Sequence, residues 1–212
     1  MNSKSDYAYR EIKNKIIQGE LAPLSDIVEE RFQEELNISR TPIREAVQRL
    51  NKEGFVYIYA RKGTIVSPIN VEMIYSVYQA RLLNEPYLSK EVCHEVPEEW
   101  LRQMKNSLED SPFELAEMDY RHYYMALDYE LHTKILSYCK NQFLKDALNI
   151  VNDHSQRIRI RTSSCNEDMG CSIQEHIAIV DAFLRRDPDQ VEEATRNHII
   201  SSQQDAFKYN KG

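Results

Sequence analysis

The stretch Ile38-Ser39-Arg40-Thr41-Pro42-Ile43-Arg44-Glu45-Ala46-Val47-Gln48-Arg49-Leu50 leaves a chain little choice of structure. Ser39 can cap a helix amino terminus, and Pro42 is tolerated in a first turn, where backbone N–H groups have no intrahelical partner. A helix therefore starts at or just after Ser39. From there Ile43, Val47 and Leu50 recur at helical spacing on one face, while Arg40, Thr41, Arg44 and Gln48 lie on or near the other. One face packs, and the other can enter a groove. Gly54 supplies the stop. Beyond it, strand-forming residues flank Arg61-Lys62-Gly63, which predicts a hairpin with a basic tip.

Reading outward, Tyr7 to Gln18 carries Tyr9, Ile12, Ile16 and Ile17 at helical spacing and stops at Gly19. A second helix, about Asp26 to Leu36, offers Ile27, Phe32 and Leu36 to the same core. Helix, helix, helix, hairpin is the order of a winged helix-turn-helix, which places a recognition helix in the major groove of double-stranded DNA and brings its wing to the adjacent backbone. The charge agrees. Residues 39 to 62 carry Arg40, Arg44, Arg49, Lys52, Arg61 and Lys62 against Glu45 and Glu53, although the whole chain has a net charge of −7. A charge run is usually a solvated face. Clustering on one helix and one hairpin tip instead marks an electrostatic footprint for nucleic acid.

The hairpin ends near Ser67-Pro68-Ile69-Asn70, and helical periodicity resumes at Val71, so the expected domains are 1–69 and 70–212. Helices are expected at about 71–93, with Pro86 a candidate kink, then 97–109, 112–138, 142–161, 172–186 and 188–208. They form an all-helical bundle of antiparallel neighbours, with a polar, mobile-looking gap from Thr162 to Gly170. The fold class is thus mainly α. No run approaches a membrane span and the amino terminus is polar, so a cytoplasmic protein with no membrane partner is expected. Cys93, Cys139, Cys165 and Cys171 lack paired metal or redox spacing and read as free thiols, the first two on helices and the others in a loop.

Within the second half, Asp128 and His132 are four apart on one helix and project from one face. His176 opens the next-to-last helix and His198 lies on the last. If those two pack antiparallel, both imidazoles can face the first pair. Three His and one carboxylate suit zinc, nickel or another first-row divalent ion. A single His on a helix is more often exposed or hydrogen-bonded, the expectation for His94, His122 and His154, and spacing alone leaves both readings open for the other three. Tyr120, Tyr123, Tyr124 and Tyr129 surround the first metal helix; most are expected to pack with the hydroxyl outward.

The first half resembles the GntR family of bacterial transcription regulators over residues 7 to about 68, through Tyr9, Ile12, Ile16, Gly19, Leu36, the Ser39–Leu50 run, Glu53-Gly54 and Gly63 to Val66. It departs at Pro23-Leu24-Ser25, where the family usually has a Gly soon after the Pro. The resemblance implies that Ser39, Arg40, Thr41 and Arg44 touch operator DNA and that Lys62 and Gly63 at the wing approach it. The second half resembles the FCD ligand-binding domain of the FadR branch, through Tyr78, Arg81, Leu82, Glu85, Asp128-x-x-x-His132, Glu175-His176, Ile179, Ala182, Asp187, Ala194 and His198-Ile199.

That resemblance implies a divalent metal held by Asp128, His132, His176 and His198, with open positions for a small organic acid. Arg81 is on the helix that supplies an effector-pairing Arg, although a salt bridge to Glu85 one turn on is its competing role. Arg157 and Arg161 are weaker candidates. The function so implied is a homodimeric, metabolite-responsive regulator, a repressor by family habit, and not an enzyme. Two other functions stand beside it: a DNA-binding protein whose metal is purely structural, and a metal-dependent hydrolase or lyase, against which the set shows no obvious general base.

Overall fold

The computed structural model describes residues 3–110, 117–162 and 169–209. Internal contacts divide the chain into two units, Met1–Ile69 and Asn70–Gly212. No helix among the described residues is long and apolar enough to cross a membrane.

In the first unit, α1 (Lys4–Ile17) begins earlier than the apolar pattern suggests. The reason is a reciprocal cap: the Asp6 N–H donates to Ser3 Oγ at 3.0 Å and the Ser3 N–H donates to Asp6 Oδ2 at 3.2 Å. The next helix, α2 (Glu29–Leu36), starts later than Asp26. Residues 25–27 are extended instead, and the segment pairs through Leu24 N–H to Val66 O (3.0 Å), Val66 N–H to Ser25 O (2.9 Å) and Ile27 N–H to Thr64 O (2.8 Å). A short strand-like segment therefore covers one edge of the wing. It is entered through Leu24, whose φ of 67° lies in the left-handed region. This is the turn where the resembling family usually has Gly, and a Leu there costs roughly 1–2 kcal/mol.

The third helix, α3 (Arg40–Lys52), follows Ser39, which has the extended backbone of an N-cap residue but makes no side-chain capping bond. Ile43, Ala46, Val47 and Leu50 are buried, as are Ile12 and Ile16 of α1, Phe32 of α2 and Phe55. Removing these side chains from water is what holds the three helices together, at roughly 1.5–3 kcal/mol each. The wing consists of β1 (Val56–Tyr59) and β2 (Gly63–Val66), antiparallel, with Val56 opposite Val66 and Tyr59 opposite Gly63. Arg61 and Gly63 at its tip both have positive φ, 64° and 110°.

The second unit contains α4 (Val71–Glu91), α5 (Glu98–Glu109), α6 (Glu117–Ser137), α7 (Gln142–Thr162), α8 (Met169–Leu184) and α9 (Pro188–Tyr209). Asn70 caps α4 by accepting from the Met73 N–H at 2.8 Å. The helix runs through Pro86, which is buried. It packs on α7 and α9, while α8 lies between α5 and α9 and α6 packs on α7. Leu88, Leu101, Leu131, Leu148, Ile179, Phe183 and Val191 form the core.

Three placements differ from expectation. Cys93 lies in the turn closed by its own N–H to Lys90 O, Cys139 lies beyond the end of α6, and Cys171 is on α8 at the surface. Helices thus stop slightly earlier, or start earlier, than periodicity indicates, because turn hydrogen bonds compete at their ends. Cys165, residues 112–116 of the expected third bundle helix and the interior of the 162–170 gap lie outside the described residues.

Candidate functional site

Burial on one side of α3 leaves Ser39, Arg40, Thr41, Arg44 and Gln48 exposed on the other, as are Lys62 and Gly63 at the wing tip. Arg40 Nε and Arg44 Nε lie 3.5 and 3.1 Å from Glu29 Oε2, with the two Arg side chains 55% and 58% exposed. Pairs this exposed contribute little and exchange readily. At the start of α3 the first-turn N–H groups have no helical partner, and Ser39 makes no capping bond, so hydroxyl, backbone and guanidinium donors converge on one surface.

The bundle centre has the opposite character. Asp128 and His132 come from α6, His176 from α8 and His198 from α9, and one potential ligand atom from each lies within 4.8 Å of the others. Asp128, His176 and His198 are 0–1% exposed and His132 is 8% exposed. The ring of His132 stacks on that of His198, with centroids 5.2 Å apart.

Each imidazole is oriented by a partner on its Nδ1 edge. His198 Nδ1 is 3.0 Å from Glu175 Oε2, and His132 Nδ1 is 3.3 Å from Glu85 Oε2. His176 Nδ1 is 2.7 Å from the Ser172 carbonyl oxygen. A carbonyl or carboxylate can only accept, so Nδ1 carries the proton and Nε2 presents a lone pair. The three Nε2 atoms turn inward: those of His132 and His198 are 3.3 Å apart, and that of His176 is 3.1 Å from Asp128 Oδ2. Imidazoles fixed in this way by outer acceptors are the usual support of a metal site.

Two of these atoms test whether a cation fits. Asp128 Oδ2 and His176 Nε2 are both buried and neither makes an aligned hydrogen bond. A carboxylate oxygen and an imidazole nitrogen held this close need a positive species between them, a proton or a metal cation, and no aligned hydrogen bond supplies it here. The donor set, three imidazoles and a carboxylate, suits a first-row divalent ion.

Electrostatics keep Asp128, His132 and His198 ready to donate. Burial and the neighbouring imidazoles hold His198 well below the usual imidazole range, and burial followed by the Arg81 guanidinium lowers His132. Burial alone would raise Asp128, but the Arg159 guanidinium together with the facing His176 and His132 rings outweighs it and keeps the carboxyl well below its ordinary range. Glu85 is likewise held ionised against its burial by Arg81 and His132 together. Burial raises the Tyr124 phenol, which donates to Ser172 Oγ at 2.9 Å.

Arg81 is 1% exposed, with Nε and Nη2 on the two Glu85 carboxylate oxygens (2.7 and 3.1 Å) and Nη1 on Ser155 Oγ (2.9 Å). The one-turn salt bridge is therefore its observed partnership, and its Nη2 also lies 3.2 Å from His132 Nε2. Arg157 is buried and Arg161 exposed. The arginine between them, Arg159, reaches Asp128 Oδ1 through Nη1. Sequence reasoning passed over Arg159 because in the Arg157–Arg161 run no periodicity distinguishes which guanidinium faces inward. Glu85 and Glu175 as imidazole partners were also missed, although Glu85 lies one turn beyond Arg81 and Glu175 adjoins His176. His94 and His122 are exposed, and His154 is buried on α7 outside the cluster. Of the tyrosines, Tyr124 is buried beside His176, its Oη 2.6 Å from Nδ1, whereas Tyr123 and Tyr129 are exposed.

Comparison with known proteins agrees with both halves. The family model described as "Bacterial regulatory proteins, gntR family" matches residues 4–66, and that of the FCD domain matches residues 76–201. The chain is 24% identical to the uncharacterized HTH-type transcriptional regulator YdhC of Bacillus subtilis (strain 168), over 91% of this chain and 84% of that protein. It is 22% identical to the HTH-type transcriptional repressor RspR of Escherichia coli (strain K12), over 90% and 83%. The crystal structure of a putative transcriptional regulator GntR from Rhodococcus sp. RHA1 shares the fold, with a TM-score of 0.80 at 14% identity over 96% and 97% of the two chains. With the FCD match alone spanning more than half of its residues, this chain belongs to the GntR family of bacterial transcription regulators, in the branch that carries an FCD effector-binding domain.

Proposed function

We propose that this regulator is a homodimeric repressor that binds a divalent metal, zinc or nickel, through Asp128 Oδ2 and the Nε2 atoms of His132, His176 and His198, and responds to a small organic acid received at that centre. The observation that carries the reading is the buried pair Asp128 Oδ2 and His176 Nε2, 3.1 Å apart and without hydrogen bonds, inside a set whose three imidazoles are each oriented from behind. When bound, the ion supplies a Lewis-acidic centre with coordination positions beyond its four protein atoms. Glu85, Glu175 and the Ser172 carbonyl hold the rings in the donating tautomer, and burial holds His132 and His198 below the usual imidazole range.

On the DNA side, Arg44 and Arg40 exchange Glu29 for bases or phosphates, Ser39 and Thr41 donate to the backbone at the start of α3, and Lys62 and Gly63 bring the wing tip to the duplex. The repressor assignment is supported by the similarity to RspR, a transcriptional repressor. An effector acts by favouring one arrangement of the two recognition helices over another.

The test is thermal denaturation of the purified protein, metal-stripped and then reloaded with zinc or nickel, against a panel of small carboxylic and sugar acids. Stabilisation by metal followed by metal-dependent stabilisation by an acid is expected. Metal stabilisation with no acid response would make the ion structural, and no metal response would remove the cluster from the account.

A further inference from the structure

The two arginines that enter the centre of the helical unit are in different states. Arg81 has all three guanidinium nitrogens committed, two to Glu85 and one to Ser155. The space on its side is a small, partly open pocket of about 10 Å³ lined by Glu85, Ser89, His132 and Asn152 among leucines and an isoleucine, room for about one water molecule. Arg159 commits one nitrogen. Its Nη1 donates to Asp128 Oδ1 and to Gln156 Oε1 (3.3 Å), while Nε and Nη2 make no hydrogen bond among the described residues. Its side chain is 15% exposed, against 1% for Arg81.

Asp128 divides its oxygens accordingly. Oδ1 is held by Arg159, and Oδ2 is the orphan turned toward His176. The carboxylate can thus donate Oδ2 to a cation without giving up Arg159. In that arrangement the Arg159 guanidinium keeps two unspent donors beside the metal-binding atoms, on the side with access to solvent.

We infer that Arg159, and not Arg81, is the residue that captures the carboxylate of the effector, receiving it on Nε and Nη2 next to the metal-binding atoms. The inference rests on the metal-and-acid reading above. Arg81 is a positioning residue: it holds Glu85, which orients His132. Charge favours this division. The Arg81–Glu85 pair is internally neutral, and so is Arg159–Asp128; a divalent cation added beside these two pairs leaves an excess of positive charge, which an anion on Arg159 offsets.

The experiment uses the full-length protein loaded with nickel, with acetate, L-lactate and succinate as probes, and compares wild type with Arg159→Gln and Arg159→Lys. Two quantities are read by calorimetry: nickel affinity without any acid, and acid affinity with nickel bound. Arg159→Gln is expected to weaken nickel binding by about 10- to 100-fold, the cost of losing an outer partner of Asp128, and, with nickel held saturating, to lose acid affinity by a further factor of about 10 to 100. Arg159→Lys, which keeps the charge but not the fork, is expected to fall between. Acid binding by Arg159→Gln equal to wild type overturns the inference and leaves the metal-and-acid reading intact. Wild type that binds nickel but none of the acids overturns both. A melting curve for each variant separates misfolding from loss of contact, and Arg159→Lys decides the matter if Arg159→Gln does not fold.

Discussion

The exposed face of α3 and the polar centre of the helical unit both rely on arginines paired with glutamates, yet the pairs do different work. Arg40 and Arg44 meet Glu29 at the surface with more than half of each side chain in water. Arg81 meets Glu85 with both nearly sealed off. In water such a pair is a loose holding arrangement, because solvent competes and screens. Inside, removal of either partner strands a charge. A surface meant to change partners and a centre meant to keep its geometry can therefore use identical residue types, and burial decides which one results.

Substitutions at the two sites sharpen that contrast. Arg81→Met should destabilise the protein by about 3–5 kcal/mol, with most of it restored by adding Glu85→Leu; chemical denaturation measures both, and a neutral single variant would break the comparison. Arg44→Ala should do the reverse. Its melting temperature should barely move and its metal content should stay, while specific operator binding falls by on the order of a hundredfold or more, from about 1–3 kcal/mol lost in each of two half-sites. Unchanged operator affinity in a titration at fixed salt would remove Arg44 from the DNA surface.

Smaller effects follow from the outer partners. Glu175→Gln keeps a hydrogen-bond acceptor for His198 but removes its charge, and should weaken metal binding by about 10- to 100-fold without unfolding the bundle; competition with a chelator of known affinity checks this.

Acid should also separate the two regions. His132 and His198 are held below the ordinary 6.5, so an unfolded chain takes up protons that the folded one refuses. Their contribution to stability is complete above about pH 6.5 and is lost as pH falls through that value toward the folded pKa values. Metal-stripped protein should melt lower at about pH 5.5 than at about pH 7.5, and His198→Gln should flatten the dependence. A wild-type profile with the opposite slope would show that the imidazoles are not buried neutral. The smallest change expected is at Leu24, where Leu24→Gly relieves a φ of 67° but frees the unfolded chain, for a net gain under about 1 kcal/mol in thermal denaturation.

The α3 surface was legible because its whole logic is local. Ser39, Pro42, the Ile43–Val47–Leu50 face and Gly54 are consecutive signals on one element, and a helix period assigns each to a side without reference to any other segment. The start of α2 was misplaced for the converse reason: residues 24–27 are drawn into pairing with β2, from Thr64 to Val66, and no local pattern announces a partner forty positions away. Ser3 and Asp6 were a legible cap that the apolar pattern overshadowed.

In the bundle, the Asp128–His132 spacing was visible as one helix face, and the resemblance supplied His176 and His198. What no spacing could supply is which arginine turns inward at 157–161, which carboxylate stands behind which imidazole, and which oxygen of Asp128 is left over. The chain alone settled the order of helices and wing, the direction each amphipathic face points, and the positions of its chemistry, because these depend on neighbours within a few residues. Packing settled the rest. A buried polar atom is satisfied or orphaned only by what other helices bring to it, and at low dielectric that difference decides whether a histidine is neutral, an aspartate ionised and an arginine still free to bind.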